Sequence, residues 1–123
     1  MIRLDSATRK LQIVLGGAIT TAQLQVTVNY YDETIDNQNP TTRHFVKVSA
    51  SNSTTDVDIC LAPRVGFIRN IDTLTVYNAD SVAATVTIKM DDSGTETILV
   101  KRSIATLASL HYEVGVGWYV SSA

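Results

Sequence analysis

The segment LHYEVGVGWYV, residues 110–120, contains the side chains that come closest to a chemical site. His111 and Glu113 lie two positions apart, so their side chains share one face if the segment is a strand. A histidine and a carboxylate on one face could form an acid–base pair or half of a metal site. A zinc site needs three or four ligands, and no cysteine or histidine at a suitable spacing supplies the others. We therefore interpret both residues as polar members of a solvent-facing surface.

Two groups of carboxylates are the next candidates for chemistry. The segment DDSGTE supplies Asp91, Asp92 and Glu96, which look like a fragment of a calcium loop, but the complete series of ligands is missing. Its Asp-Ser-Gly sequence suits a tight hairpin turn. Asp56 and Asp58 share one face about 7 Å apart, and paired carboxylates can hydrolyse glycosides. Outward charges on an edge strand explain them more simply. We therefore expect no enzymatic activity and no cofactor.

The composition predicts one folded domain without strong attraction to nucleic acid. The chain has 123 residues, of which 45% are hydrophobic, and its formal net charge is −2. Arg64 and Arg69 flank Phe67 and could stack a base, although a strand with solvated ends is the commoner arrangement. No apolar run approaches the roughly 20 residues of a membrane span, and no secretion signal is recognisable. Cys60, the only cysteine, is predicted to be a buried hydrophobic residue.

The chain is rich in residues that favour strands, with sixteen threonines and fourteen valines. Apolar and polar residues alternate in QLQVTVNYY and AATVTIKM, which is the period of a strand with one buried face. Turn-forming clusters of Gly, Asn, Asp and Ser separate such segments. We predict an all-β fold, an antiparallel β-sandwich (jelly-roll-like or immunoglobulin-like) of about 8–10 strands. The predicted strands cover residues 11–15, 23–31, 43–50, 54–61, 71–78, 83–90, 95–103, 109–114 and 117–120.

Residues 1–10 differ from the rest of the chain, because they show little periodicity and carry three cations against one anion. We predict an N-terminal arm at residues 1–10 and a single sandwich domain at residues 11–123. Residues 32–42 are polar and contain a proline, which predicts an exposed loop that could make contacts.

Residues 74–120 carry a recognisable order of motifs. A strand ending in YNAD is followed by a threonine–valine strand, a short polar turn, a strand ending in basic residues, and the pattern L-x-Y-x-x-G-x-G-W-x-V. This order resembles small virion structural proteins of tailed bacteriophages, and the opening residues 4–30 resemble the start of such proteins. The resemblance covers most of the chain. It implies a β-sandwich, often trimeric, and it offers no catalytic residues to transfer.

The resemblance implies a capsid decoration or cement protein that binds and stabilises the head. A collar, tail-tip or head-fibre anchoring protein, and a carbohydrate-binding module, remain as alternatives. The expected partners are other copies of the chain, with a trimer favoured, and the major capsid protein or another virion protein. Neither nucleic acid nor a membrane is expected as a partner. The protein would be made in the host cytoplasm and located in the virion. The candidate interface residues are the cations of the arm and the aromatic residues of the closing hairpin, namely Arg3, Arg9, Lys10, Trp118 and Tyr119.

Overall fold

The computed structural model describes residues 1–35 and 42–123, and these residues form an antiparallel β-sandwich. The predicted all-β sandwich is therefore confirmed, and the ten strands found in the described residues agree with the expected number. The strands are β1 (Ile2–Leu4), β2 (Arg9–Leu15), β3 (Gln25–Thr34), β4 (Thr42–Ala50), β5 (Val57–Cys60), β6 (Phe67–Tyr77), β7 (Ala84–Asp92), β8 (Thr95–Ile104), β9 (Ser109–Glu113) and β10 (Gly117–Ser121).

The strands divide into a large sheet and a small sheet. The large sheet has the order β10-β9-β6-β3-β4, and the small sheet has the order β5-β2-β7-β8. Strand β1 completes the large sheet by pairing with β6 at residues 69–71. Strand β9 pairs with the same β6 at residues 73–77. The N-terminal strand and the closing hairpin therefore lie end to end along one long central strand.

Period-two alternation places the core residues as the sequence predicts. Leu24, Val26 and Val28 on one sheet are fully buried, as are Val86 and Ile88 on the other. Burying apolar area of this kind is the main favourable contribution to folding. The rest of the buried core comes mostly from the inward positions of the other strands, notably Leu11, Ile13, Ile71, Leu74, Val76, Ile104 and Leu110.

Lys89 faces outward from the small sheet but is shielded from solvent. Its backbone pairs with Gln12, which places its side chain on the outer face of the small sheet. The residue is nevertheless only 7% exposed. Its Nζ atom lies 2.9 Å from carboxylate oxygens of both Asp56 and Glu96. These carboxylates neutralise the ammonium and raise the pKa of Lys89 against the opposing effect of desolvation.

Both predicted hairpin turns are present. The turn between β7 and β8 has only Ser93 and Gly94 at its tip, with φ angles of 52° and 96°. Two successive positive φ angles define a type I′ turn, for which Gly at the second position is favoured. The turn between β9 and β10 likewise contains Gly115, and Gly117 is the first residue of β10, at φ angles of 83° and 96°. The apparent calcium-loop fragment and the closing cluster are therefore hairpins.

Residues 1–10 fold onto their own chain instead of forming an arm. Ile2 and Leu4 are buried in the core, and the Ile2 N–H donates a hydrogen bond of 2.9 Å to the Tyr112 hydroxyl. Arg9 and Lys10 already belong to β2. A strand of three residues is too short to produce a recognisable alternation, which explains why the sequence suggested an arm.

The predicted loop at residues 32–42 is shorter than expected. Strand β3 continues through Asp32 to Thr34, and β4 begins at Thr42. Residues 36–41, the centre of the predicted loop, lie outside the described residues. The sequence does not predict this extension of β3, because Asp and Glu are uncommon in strands. In the structure, Asp32 is buried beside Arg69.

We predict that Leu4→Ala lowers the free energy of unfolding by about 2–5 kcal/mol, since it removes a fully buried side chain. Urea unfolding measures this change. The control is Arg3→Ala on the same strand, which should change the free energy by no more than about 0.5 kcal/mol because Arg3 is exposed. Equal, small effects of both substitutions would contradict the placement of β1 in the sheet.

Candidate interaction surface

The three cations proposed as interface residues are paired with carboxylates of the same chain. Arg9 lies on β2, where it forms ion pairs with Asp5 and Asp92. Lys10 on the same strand lies 3.1 Å from the Asp58 carboxylate. Arg3 lies on the other sheet, with a longer contact of 4.0 Å to Glu33. The structure therefore does not bring the three cations together.

The two candidate aromatic residues face opposite sides of β10. Trp118 pairs with Tyr112 in register, and their rings are 5.0 Å apart on the core side of the sheet. Tyr119 faces outward and stacks on His111 at a ring distance of 4.9 Å. Trp118 is therefore mainly a packing residue of its own chain, while Tyr119 belongs to the exposed outer face.

His111 and Glu113 occupy the outer face of the large sheet, as predicted. The ring nitrogens of His111 lie 2.7 Å from the Ser121 hydroxyl and 3.3 Å from the Thr75 hydroxyl. The Tyr119 hydroxyl donates to Glu113 at 2.9 Å, and this bond raises the pKa of Tyr119. In the part of the chain that the structure describes, no group of three or more potential metal ligands occurs. The pair forms a hydrogen-bonded surface network.

The carboxylates in and just before β5 also take part in ion pairs. Asp58 accepts a hydrogen bond of 2.8 Å from the Gln12 amide, and this bond, with the Lys10 ammonium, lowers the pKa of Asp58. Asp56 pairs with the shielded Lys89. Each carboxylate thus neutralises a cation on another strand of the small sheet, which is a structural use of the charge.

The arginines around Phe67 do not form a base-stacking pair. The guanidinium carbon of Arg64 lies 4.2 Å from the centre of the Phe67 ring and covers one of its faces. Arg69 instead forms two hydrogen bonds with Asp32, at 2.8 and 2.9 Å, and a third with the Leu61 carbonyl at 2.7 Å. Arg69 therefore joins the large sheet to the segment that follows β5 of the small sheet.

The aromatic side chains that could stack on a sugar ring are also divided between the core and the surface. Tyr112 is buried, and Tyr30 and Trp118 pack against the core. Tyr31 faces outward on β3, beside His44, and Tyr119 faces outward at the far edge on β10. Two outward aromatic residues on separate strands do not form the contiguous platform that a sugar ring would stack on.

Asp80 is an important residue that the sequence did not identify. Its carboxylate accepts hydrogen bonds from the backbone N–H groups of Thr20, Thr21 and Ala22 at 2.9, 2.6 and 3.3 Å. It also accepts one from Ser81 at 2.9 Å. These donors, led by Thr20 and Thr21, hold the pKa of Asp80 well below its usual range. Asp80 thereby ties the β2–β3 connection to the β6–β7 connection.

Asn78, two residues earlier, adds a third connection to the same cluster. Its amide nitrogen lies within 3.2 Å of the carbonyl oxygens of Val82, Ile104 and Ala105. Its amide oxygen accepts the N–H of Asp80 at 3.0 Å. The motif YNAD is therefore the junction of the β2–β3, β6–β7 and β8–β9 connections at one end of the sandwich. We call Asn78, Asp80 and the backbone groups they bind the junction.

A concavity of about 460 Å³ lies beside the junction. Its described lining includes Gly16, Gly17 and Lys101 as well as Asp80. The Asp80 carboxylate is already saturated by the backbone donors described above. Lys101 is then the remaining charged side chain of the lining, and one exposed lysine is too little to define a ligand.

The exposed edge at β4 is the second feature that the sequence did not identify. Strand β4 hydrogen-bonds with β3 and forms one edge of the large sheet. On its outer face, Val46 is 64% exposed and Val48 is 73% exposed. Exposed valines on an open strand edge are unusual, because an unpaired edge can add a further strand. This edge is the best candidate for an interaction surface.

Comparison of the chain with protein-family models, curated proteins and solved structures finds no match in any of the three. The class of protein is therefore defined by its fold, an antiparallel β-sandwich. Among the described residues, no helix is long and apolar enough to cross a membrane.

We predict that Asp80→Asn destabilises the protein near neutral pH, because one acceptor oxygen is replaced by a donor that faces backbone N–H groups. The folded-state pKa of Asp80 is depressed, so its contribution is fully present above the unfolded value of about 4 and is lost as pH falls below it. The difference in Tm between wild type and variant should therefore be largest near about pH 7 and should narrow toward about pH 2.

Thermal unfolding followed by circular dichroism at several pH values measures this difference. The control is Asp72→Asn, since Asp72 makes no side-chain hydrogen bond with the residues that the structure describes. The control should show a smaller decrease in Tm at neutral pH. A decrease in Tm for Asp80→Asn that stays constant with pH would contradict the assigned role of the Asp80 carboxylate.

Proposed function

We propose that this protein is a non-enzymatic structural protein of a tailed-bacteriophage virion, acting as a decoration or cement protein that binds and stabilises the head. The resemblance of residues 74–120 to such proteins supplies the setting. The observation that carries a structural role is the open, apolar edge of β4. An edge of this kind is suited to contacts between proteins, because it offers backbone hydrogen bonds together with apolar contact area.

The arrangement of charges supports an assembly role over catalysis. Lys10, Arg9, Lys89 and Arg69 are each paired with carboxylates of their own chain. Groups held in this way stabilise the sandwich and are not free to transfer protons or bind a substrate. In this proposal the sandwich is a rigid body whose exposed edges and outer faces contact neighbouring virion proteins, including the major capsid protein.

The proposal places the protein in the virion after synthesis in the host cytoplasm. We expect purified particles from the producing host to carry it. Immunogold labelling of a C-terminal tag measures its position, and Ala123 is exposed and so suited to a tag. Particles made with the untagged chain are the control for non-specific label.

Label over the whole shell is the expected result for a decoration protein. Label confined to one vertex or to the tail tip would instead identify a collar, tail-tip or head-fibre anchoring protein. Absence of label from particles, with the tagged protein present in the lysate, would overturn the virion assignment altogether.

A further inference from the structure

We propose that two copies of this chain associate by antiparallel pairing of their β4 strands, with the two-fold axis at Val46. The six-stranded sheets of the two copies would then join into one continuous sheet. This inference concerns self-association and holds whether or not the protein belongs to a virion.

The first argument is a comparison of the strand edges, leaving aside the three-residue strand β1. The edge strands β5 and β10 have only four and five residues. Strand β8 has ten, but a register shift against β7 interrupts it opposite Ile88 and Lys89. Short strands and bulges are the devices by which proteins protect edges from pairing. Strand β4 has nine residues and pairs with β3 without any register shift. Of the described edges, β4 is therefore the long and regular one.

The second argument is the charge pattern of β4, which limits how two copies can pair. A two-fold axis perpendicular to the sheet keeps outward side chains opposite outward side chains, so the axis must pass through a residue. An axis at Lys47 would place the two lysines opposite each other. An axis at Phe45 would place Arg43 opposite the second copy's Lys47. Like charges directly opposite each other destabilise a strand pair, so both registers are unfavourable.

An axis at Val46 places no like charges directly opposite each other and uses the whole strand. Val46 is the midpoint of Thr42–Ala50, so all nine residues find a partner. Lys47 then lies opposite Phe45, and Arg43 lies opposite Ser49. On the outer face, Val46 meets its own copy and Val48 meets His44. Of the two exposed valines, Val46 thereby gains an apolar neighbour and Val48 gains the imidazole ring of His44.

Lys47 does not block this pairing. Edge lysines often prevent association when their charge points across the open edge. Lys47, however, is only partly exposed, and it lies close enough to Asp58 on the neighbouring sheet to contribute to the lowered pKa of that carboxylate. Its side chain therefore lies on the inner side of the strand, away from the valine face.

The symmetry of this contact has a direct consequence for the number of subunits. A surface that pairs with itself across a two-fold axis is closed after two copies. The contact therefore predicts a dimer, in contrast to the trimer that the resemblance implied. A trimer would need a different contact, in which one edge pairs with another edge of its neighbour.

Charge substitutions at Val46 test the register, because this residue faces itself. In V46K, two lysines lie opposite each other at the axis, and in V46E two glutamates do so. Either variant alone should weaken the dimer by about tenfold or more in dissociation constant. An equimolar mixture should form a dimer again, because lysine then faces glutamate. Sedimentation velocity measures each equilibrium, and a tag on one variant identifies the mixed species.

The matched control is V116K in the turn between β9 and β10, where Val116 is 69% exposed compared with 64% for Val46. This variant should remain dimeric. Circular dichroism and the Tm of each variant verify folding, and both exposed positions should tolerate lysine. The inference is overturned if the wild type is a monomer or a trimer, or if V46K dimerises as well as the wild type. It is also overturned if mixing V46K with V46E does not restore a dimer.

Discussion

The carboxylate of Asp80 and the backbone N–H groups around it are the interaction on which the closed end of the sandwich depends. The connections β2–β3, β6–β7 and β8–β9 each cross from one sheet to the other, and all three meet at the junction. Asp80 satisfies donors of the first connection, and Asn78 satisfies carbonyl oxygens of the third. Backbone polar groups that lose water are costly unless they find such partners. Two side chains from one short motif thereby keep three crossing segments ordered without regular secondary structure.

The opposite end of the molecule is closed by a different kind of contact. Arg69 extends from the large sheet to the Leu61 carbonyl beside the small sheet, while Asp32 holds its guanidinium in a two-bond geometry. Arg69 also covers the Tyr30 ring at 4.4 Å. Both ends of the sandwich are closed by polar contacts. The edge strands along its sides, however, differ in length and regularity. There β5 and β10 are short and β8 is irregular, so β4 is the edge with the greatest capacity for a further partner.

The alternation of residues allowed nine strands and their buried faces to be predicted, because each pattern is local to its strand. Strand β1 was missed because three residues cannot show a period. Asp80 was missed because its partners lie 58 to 60 residues away in the chain, and no local pattern marks such a contact. The exposure of Val46 and Val48 was also beyond the sequence, because an alternating strand looks the same at an edge and at the centre of a sheet. The shielding of Lys89 depends likewise on carboxylates from two other parts of the chain, Glu96 on β8 and Asp56 just before β5.

The location of Cys60 has a practical consequence for studying this molecule. The residue is fully buried, and desolvation raises the pKa of its thiol to about 11. The thiolate is the reactive form, so this native thiol is protected from alkylating reagents at neutral pH while the protein stays folded. A cysteine introduced anywhere on the surface would therefore be the one position that takes up a fluorophore or spin label. Conversely, alkylation of the unaltered chain would report opening of the sandwich itself.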